Sequence, residues 1–172
     1  SDGVLKLSDT DLAALEKGFS IIRIGYETGA GHDIVFGSST FQDPLEIYAG
    51  SVSVTGSITG DTSVSMLART GDITLDQASL NVQNTGGSAS LTAETANIIF
   101  QNGGAVTVDT VLTLTAWQGS VSRFGGSEGL MTASDLTVIA FSGVDLKTAV
   151  GTLEASCLSA GDIVIVEADG ID

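Results

Sequence analysis

Apolar and polar residues alternate along most of this chain in short runs. Val52-Ser-Val54, Ile73-Thr-Leu75, Leu80-Asn-Val82 and Val106-Thr-Val108 put Val, Leu and Ile on one face and Ser, Thr and Asn on the other. Runs of three to five residues are too short to be stable alone. Each therefore predicts a β-strand that buries its apolar face against neighbouring strands of the same kind. The runs recur in a larger unit: an alternation leading into Ala, a short turn that usually contains Gly, then a second alternation. Copies are Leu45 to Val54, Met66 to Leu75, Leu91 to Phe100, Leu112 to Val121, Leu136 to Leu146, and Leu153-Glu-Ala155 continuing to Ala160-Gly161-Asp-Ile163-Val-Ile165. The Ala residues at 49, 68, 93, 116 and 140 are 19, 25, 23 and 24 residues apart, and the step to Ala155 is shorter.

That period fits one coil of a solenoid and is too short for a propeller blade of about 40 residues. The expected fold is all-β: a right-handed parallel β-helix of about six to seven coils, its hand following the crossover rule for parallel strands. The repeated Ala would stand at corners where a larger side chain clashes, so that Ala49, Ala68, Ala93, Ala116 and Ala140 form an internal column. The alternative fold is an antiparallel β-sandwich of the immunoglobulin type, which would normally place a buried Trp beside paired Cys; here Trp117 follows Ala116 at a corner and Cys157 is alone.

The first residues differ. Ser8-Asp-Thr-Asp11, then Leu12-Ala-Ala-Leu15-Glu-Lys17 and Gly18, carries a polar cap, an acidic first turn, a basic last turn and a terminal Gly, and predicts one short N-terminal helix over 9–17 that covers a coil edge. Ser20 to Gly25 and Asp33 to Gly37 read as strands around a Gly-rich turn. The chain is thus expected to be a single domain over 1–172, with 1–25 as a cap or boundary region and 33–172 as coils.

Composition narrows the chemistry. Hydrophobic residues make up 42% of the chain and charged residues 16%, which favours a packed core over disorder. Twenty-two Gly, one Pro and 5% aromatics suit tight turns around a slim aliphatic interior. The net charge is -15, and Lys6, Lys17, Arg23, Arg69, Arg123 and Lys147 are scattered singly, so phosphate backbones and anionic lipid are repelled. Nucleic acid and membrane insertion are not expected. Ser1 in place of Met, with no signal-like segment or 18-residue apolar run, suggests a soluble piece of something longer.

The Ala-x-x-Gly-x-Ile/Val coils resemble those of filamentous haemagglutinin-like proteins and of giant bacterial adhesins with β-strand repeats. Leu7 to Gly25 and Ala149 to Asp169 are similar to boundaries between units in such proteins. The resemblance covers nearly the whole chain and rests on small and aliphatic residues at loose spacing. It implies secretion to the cell surface or outside the cell, a structural or adhesive role as stalk or adhesion segment, and neighbouring repeats, cell-surface glycans or proteins as partners. It carries over no catalytic residue.

No catalytic, cofactor-binding or metal residue is assigned. Gly125-Gly-Ser127-Glu-Gly129 matches a nucleophile elbow in letters, but strand-like alternation follows where a helix is needed, and His32 precedes the Ser. His32 itself reads as a turn residue. Asp9/Asp11, Asp43/Glu46, Asp72/Asp76 and Glu167/Asp169 are acidic pairs to which calcium could be drawn, but none has the spacing of a known loop, so calcium stays unlocalised. A polysaccharide-binding or polysaccharide-cleaving β-helix is the alternative function. Asp72, Glu94 and Asp145 are the carboxylates considered for it, and as solvent-facing acids on separate coils they are read as structural. Thr107, Thr113 and Thr115 hint at an ice-ordering array, which Ser, Asp and Asn at other coils interrupt.

Overall fold

A computed structural model of the chain describes residues 11–12, 14–28, 31–124 and 129–170. Within them seventeen strands wind into a right-handed parallel β-helix of about six turns, and every strand pairing is parallel. That arrangement excludes the antiparallel sandwich.

Three faces repeat. Face one stacks β1 (Ile22–Gly25), β4 (Leu45–Ala49), β7 (Ser63–Ala68), β10 (Ser88–Ala93), β13 (Val111–Ala116), and the later parts of β15 (Leu130–Ala140) and β16 (Val144–Cys157). Face two stacks β2 (Ile34–Phe36), β5 (Val52–Val54), β8 (Ile73–Asp76), β11 (Ile98–Gln101), β14 (Val121–Phe124), the start of β16, and β17 (Ile163–Glu167). Face three stacks β3 (Ser39–Phe41), β6 (Ser57–Gly60), β9 (Ser79–Val82), β12 (Ala105–Val108), the start of β15 and the middle of β16.

Alternation sets which side chains enter. β7, β10 and β4 bury every second residue, and the buried set forms vertical columns: Leu45, Val64, Ala89, Leu112 and Leu136 in one, Ile47, Met66, Leu91, Leu114 and Val138 in the next. Each coil thus closes the faces of the coils on either side of it. Phe41 is the register partner of Gly60, where an added Cβ would run into Val64, and Phe100 fills the second-face interior above Leu75.

The Ala column is present. Ala49, Ala68, Ala93, Ala116 and Ala140 are direct register partners, all buried, and each ends its face-one run. At the last step the register differs from the expected one. Cys157 lies opposite Ala140, while Ala155 lies opposite Val138. A thiol is small enough to continue a column of methyl groups.

The helix expected over 9–17 is not formed at that length. Residues 8–10 and 13 lie outside the described residues; Asp11 and Leu12 are helical, one turn closes Leu15 N–H onto Leu12 O at 3.1 Å, and residues 15–17 are not helix. The competing interactions are visible. The Asp43 carboxylate accepts from Gly18 N–H (3.0 Å) and Phe19 N–H (3.1 Å), and Lys17 reaches Asp61 at 2.8 Å, drawing the chain out along the corner after β3. Leu12 is still buried and Leu15 packs on the core, so a covering role survives without a full helix.

Candidate functional site: an exposed apolar corner

The corner that follows each face-one strand carries one residue per coil directly after the Ala column. Backbone bonds place these residues in a line: Arg69 N–H to Ala49 O (3.0 Å), Glu94 N–H to Ala68 O (2.8 Å), Trp117 N–H to Ala93 O (3.0 Å), Phe141 N–H to Ala116 O (3.0 Å) and Leu158 N–H to Ala140 O (2.8 Å). Successive members are separated by the inter-strand step of about 4.8 Å. Arg69 and Glu94 form an ion pair at 3.1 Å. Above them the line turns apolar, with Trp117 48%, Phe141 42% and Leu158 53% exposed. Buried Ala holds the strand ends close to the axis, so the next side chain projects outward whatever its chemistry. Three large apolar groups in a row form a patch able to pack against an apolar ring face or side chain.

The sequence reading places Trp117 at a corner, as an exposed or coil-capping aromatic, and joins it to no other residue. The signal was there to be found: the residue after Ala116, after Ala140 and after Cys157 is Trp, Phe and Leu.

The carboxylates considered for sugar chemistry are each engaged separately. Asp72 accepts from Asn97 N–H (2.8 Å) and Nδ2 (3.0 Å), and Asn97 Oδ1 in turn accepts from Ser120 N–H (2.9 Å), a ladder that stitches three coils. Glu94 pairs with Arg69, and Asp145 with Arg123 at 2.6 Å. The candidate calcium ligands are likewise occupied in the chain's own bonds. Asp43 holds Gly18 and Phe19, Asp76 accepts from Asn102 Nδ2 (2.8 Å), and Glu167 accepts from Thr148 Oγ1 and Ala168 N–H. Asp9 lies outside the described residues. Among the described residues no three His, Cys, Asp or Glu side chains gather as a metal would need, and no helix is long and apolar enough to cross a membrane.

His32 is exposed in the loop before β2, where its carbonyl accepts from Gly50 N–H at 3.0 Å. Residues 125–128 of the Gly-Gly-Ser-Glu-Gly run lie outside the described residues, and β15 begins just after it. The three threonines do not share a plane, since Thr113 and Thr115 are on face one and Thr107 is on face three. A shallow cleft beside Leu15 is lined by Ser38, Ser39, Thr40, Gln42, Ser57 and Thr59, none of which titrates in the physiological range.

One acid is placed unusually. Glu167 lies in register with Thr148, a fully buried hydroxyl residue in the face-three interior. Partial burial pushes the Glu167 carboxyl up, but hydrogen bonds from Thr148, Asp169 and the backbone of Ala168 and Val150 outweigh it and hold the carboxyl below its ordinary value. A lowered native pKa contributes stability above the unfolded value of about 4.5, which is lost as pH falls through the native one. Glu167→Gln should therefore melt below the parent at pH 7, and the two should converge in acid below the carboxylate range. A gap that widens in acid would contradict this.

Comparison with protein-family models, curated proteins and solved structures finds no match.

Proposed function

We propose that the chain is a non-catalytic structural and adhesive module, a stalk or adhesion segment of a large secreted or cell-surface bacterial repeat protein of the filamentous haemagglutinin-like kind. The observation that carries this reading is the coil stack itself. Inward positions are filled by aliphatic columns, the weighed carboxylates are tied singly to neighbours on adjacent coils, and three of the exposed large apolar groups, Trp117, Phe141 and Leu158, are lined up on one corner. A rod of stacked coils holds its ends apart, and the Trp117–Phe141–Leu158 strip gives it a contact surface for a cell-surface glycan or protein.

The test is a panel of polysaccharides and surface proteins, scored for binding and for release of reducing ends. Binding by the parent that falls at least tenfold in Trp117→Ala/Phe141→Ala, with unchanged melting, is the expected result. Release of reducing ends would overturn the non-catalytic reading and favour a polysaccharide-cleaving β-helix. Binding that ignores the double substitution would remove the strip from the interface.

A further inference from the structure

The corner around Trp117 and Phe141 carries no charge. Residues 113–120 and 137–144 contain no Asp, Glu, Lys, Arg or His, on a chain with 21 acidic residues and a net charge of -15. Further down the same line Arg69 and Glu94 neutralise each other at 3.1 Å. Trp117 and Phe141 each have a coil on either side, with Glu94 below and Leu158 above the pair, so their 48% and 42% exposure is set within the stack.

Charge and area together select what can lie on this corner. A polyanion is repelled by the chain as a whole and finds no cation here to hold it. A cationic partner finds no carboxylate. With about half of each ring exposed, the pair offers on the order of 200 Å² of apolar surface, taking about 150–250 Å² for a whole aromatic side chain. A folded protein partner needs about 800 Å² on each side for a stable contact. A neutral sugar ring has the matching chemistry: an apolar C–H face to lie on an aromatic ring, and hydroxyls at its edge to hydrogen-bond. Groups for those hydroxyls flank the rings. Gln118 and Ser142 follow them and are exposed, and Thr113 and Thr137 stand in register, half-buried, on the adjoining face. Trp117 and Phe141 are one coil apart, a step of about 4.8 Å along the rod. That spacing is comparable to the length of one ring in an extended sugar chain.

We propose that the Trp117–Phe141 corner binds a neutral polysaccharide, its chain running along the rod axis with successive sugar rings on the two aromatic side chains. This rests on the reading of the corner as the module's contact surface, and it narrows the partner there to an uncharged glycan.

Trp117 is the one Trp in the chain, so its emission reports on the corner directly. The test is native affinity electrophoresis in gels containing neutral hydroxyethyl cellulose, glucomannan or dextran, or anionic dextran sulfate or polygalacturonate, followed by fluorescence titration with each polymer that retards the chain. At least one neutral polymer should retard it and shift Trp117 emission to the blue, with equal affinity at low and high salt. Phe141→Ala should weaken that binding roughly tenfold with unchanged melting, whereas Phe141→Tyr, which keeps the ring, should retain it. Retardation by the anionic polymers alone, neutral binding that leaves Trp117 emission unchanged, or equal binding by the Phe141→Ala variant overturns the proposal. Capture of a surface protein that is lost in Trp117→Ala/Phe141→Ala, with no neutral polymer bound, overturns it and leaves the adhesive reading standing. A chain that binds neither polymer nor surface protein removes both.

Discussion

Replacing Phe100 with Ala should lower unfolding free energy by about 3–5 kcal/mol, the range for deleting a buried aromatic ring. Phe100 is fully buried in the face-two interior, with Leu75 beneath it. Its direct register partner on the rung above is Arg123, where the alternation of β14 breaks and the guanidinium turns to Asp145, so the ring has no aliphatic register partner on that side. A cavity that cannot relax keeps its full cost. Urea denaturation read by circular dichroism measures the loss, and a change under 1 kcal/mol would show that the ring does not support the coil.

Gly104→Ala should cost about 3 kcal/mol, by crowding and not by backbone conformation. Its backbone is in an ordinary region, but an added Cβ would come within 2.2 Å of the Leu75 carbonyl oxygen and 3.0 Å of the Leu75 carbonyl carbon. The obstacle is backbone of the coil below, and it carries the face-two ladder, so it cannot swing aside as a side chain can. Gly103 is the control. Its φ is +94° and a Cβ there meets nothing within 4 Å, so Gly103→Ala should cost only about 1 kcal/mol, from conformation alone. Equal losses at the two positions would refute the crowding argument. Differential scanning calorimetry of the two variants separates them.

Much of the coil was legible in the sequence because one small residue recurs where the interior is narrowest. Spacings of 19, 25, 23 and 24 residues between Ala markers are the register steps of face one, since coil-to-coil pairing leaves Ala opposite Ala even when the corners differ in length. The same logic failed at the last coil. Cys157, not Ala155, completes the column, and a search for Ala could not see that a thiol has the size the position needs.

Ends were harder to read. The capping signals around Ser8 to Gly18 describe a helix taken alone, but Asp43, some 25 residues away in sequence, captures the Gly18 and Phe19 amides, and local propensity gives way to that bond. The Trp117–Phe141–Leu158 strip went unseen for a related reason. Its members are 24 and 17 residues apart and become neighbours only once the register is known. The interior pairing of Thr148 with Glu167 is equally invisible, because alternation alone predicts an apolar partner at that rung.

The hydrogen bonds that join one coil to the next run along the long axis of the rod. A pull on its two ends therefore loads the rungs in series, and the weakest end rung opens first while the others stay closed. Each 24-residue coil that peels away frees roughly 80 Å of extended chain in exchange for one rise of about 4.8 Å. Such a rod is stiff under small loads and lengthens in discrete steps under large ones, absorbing work coil by coil.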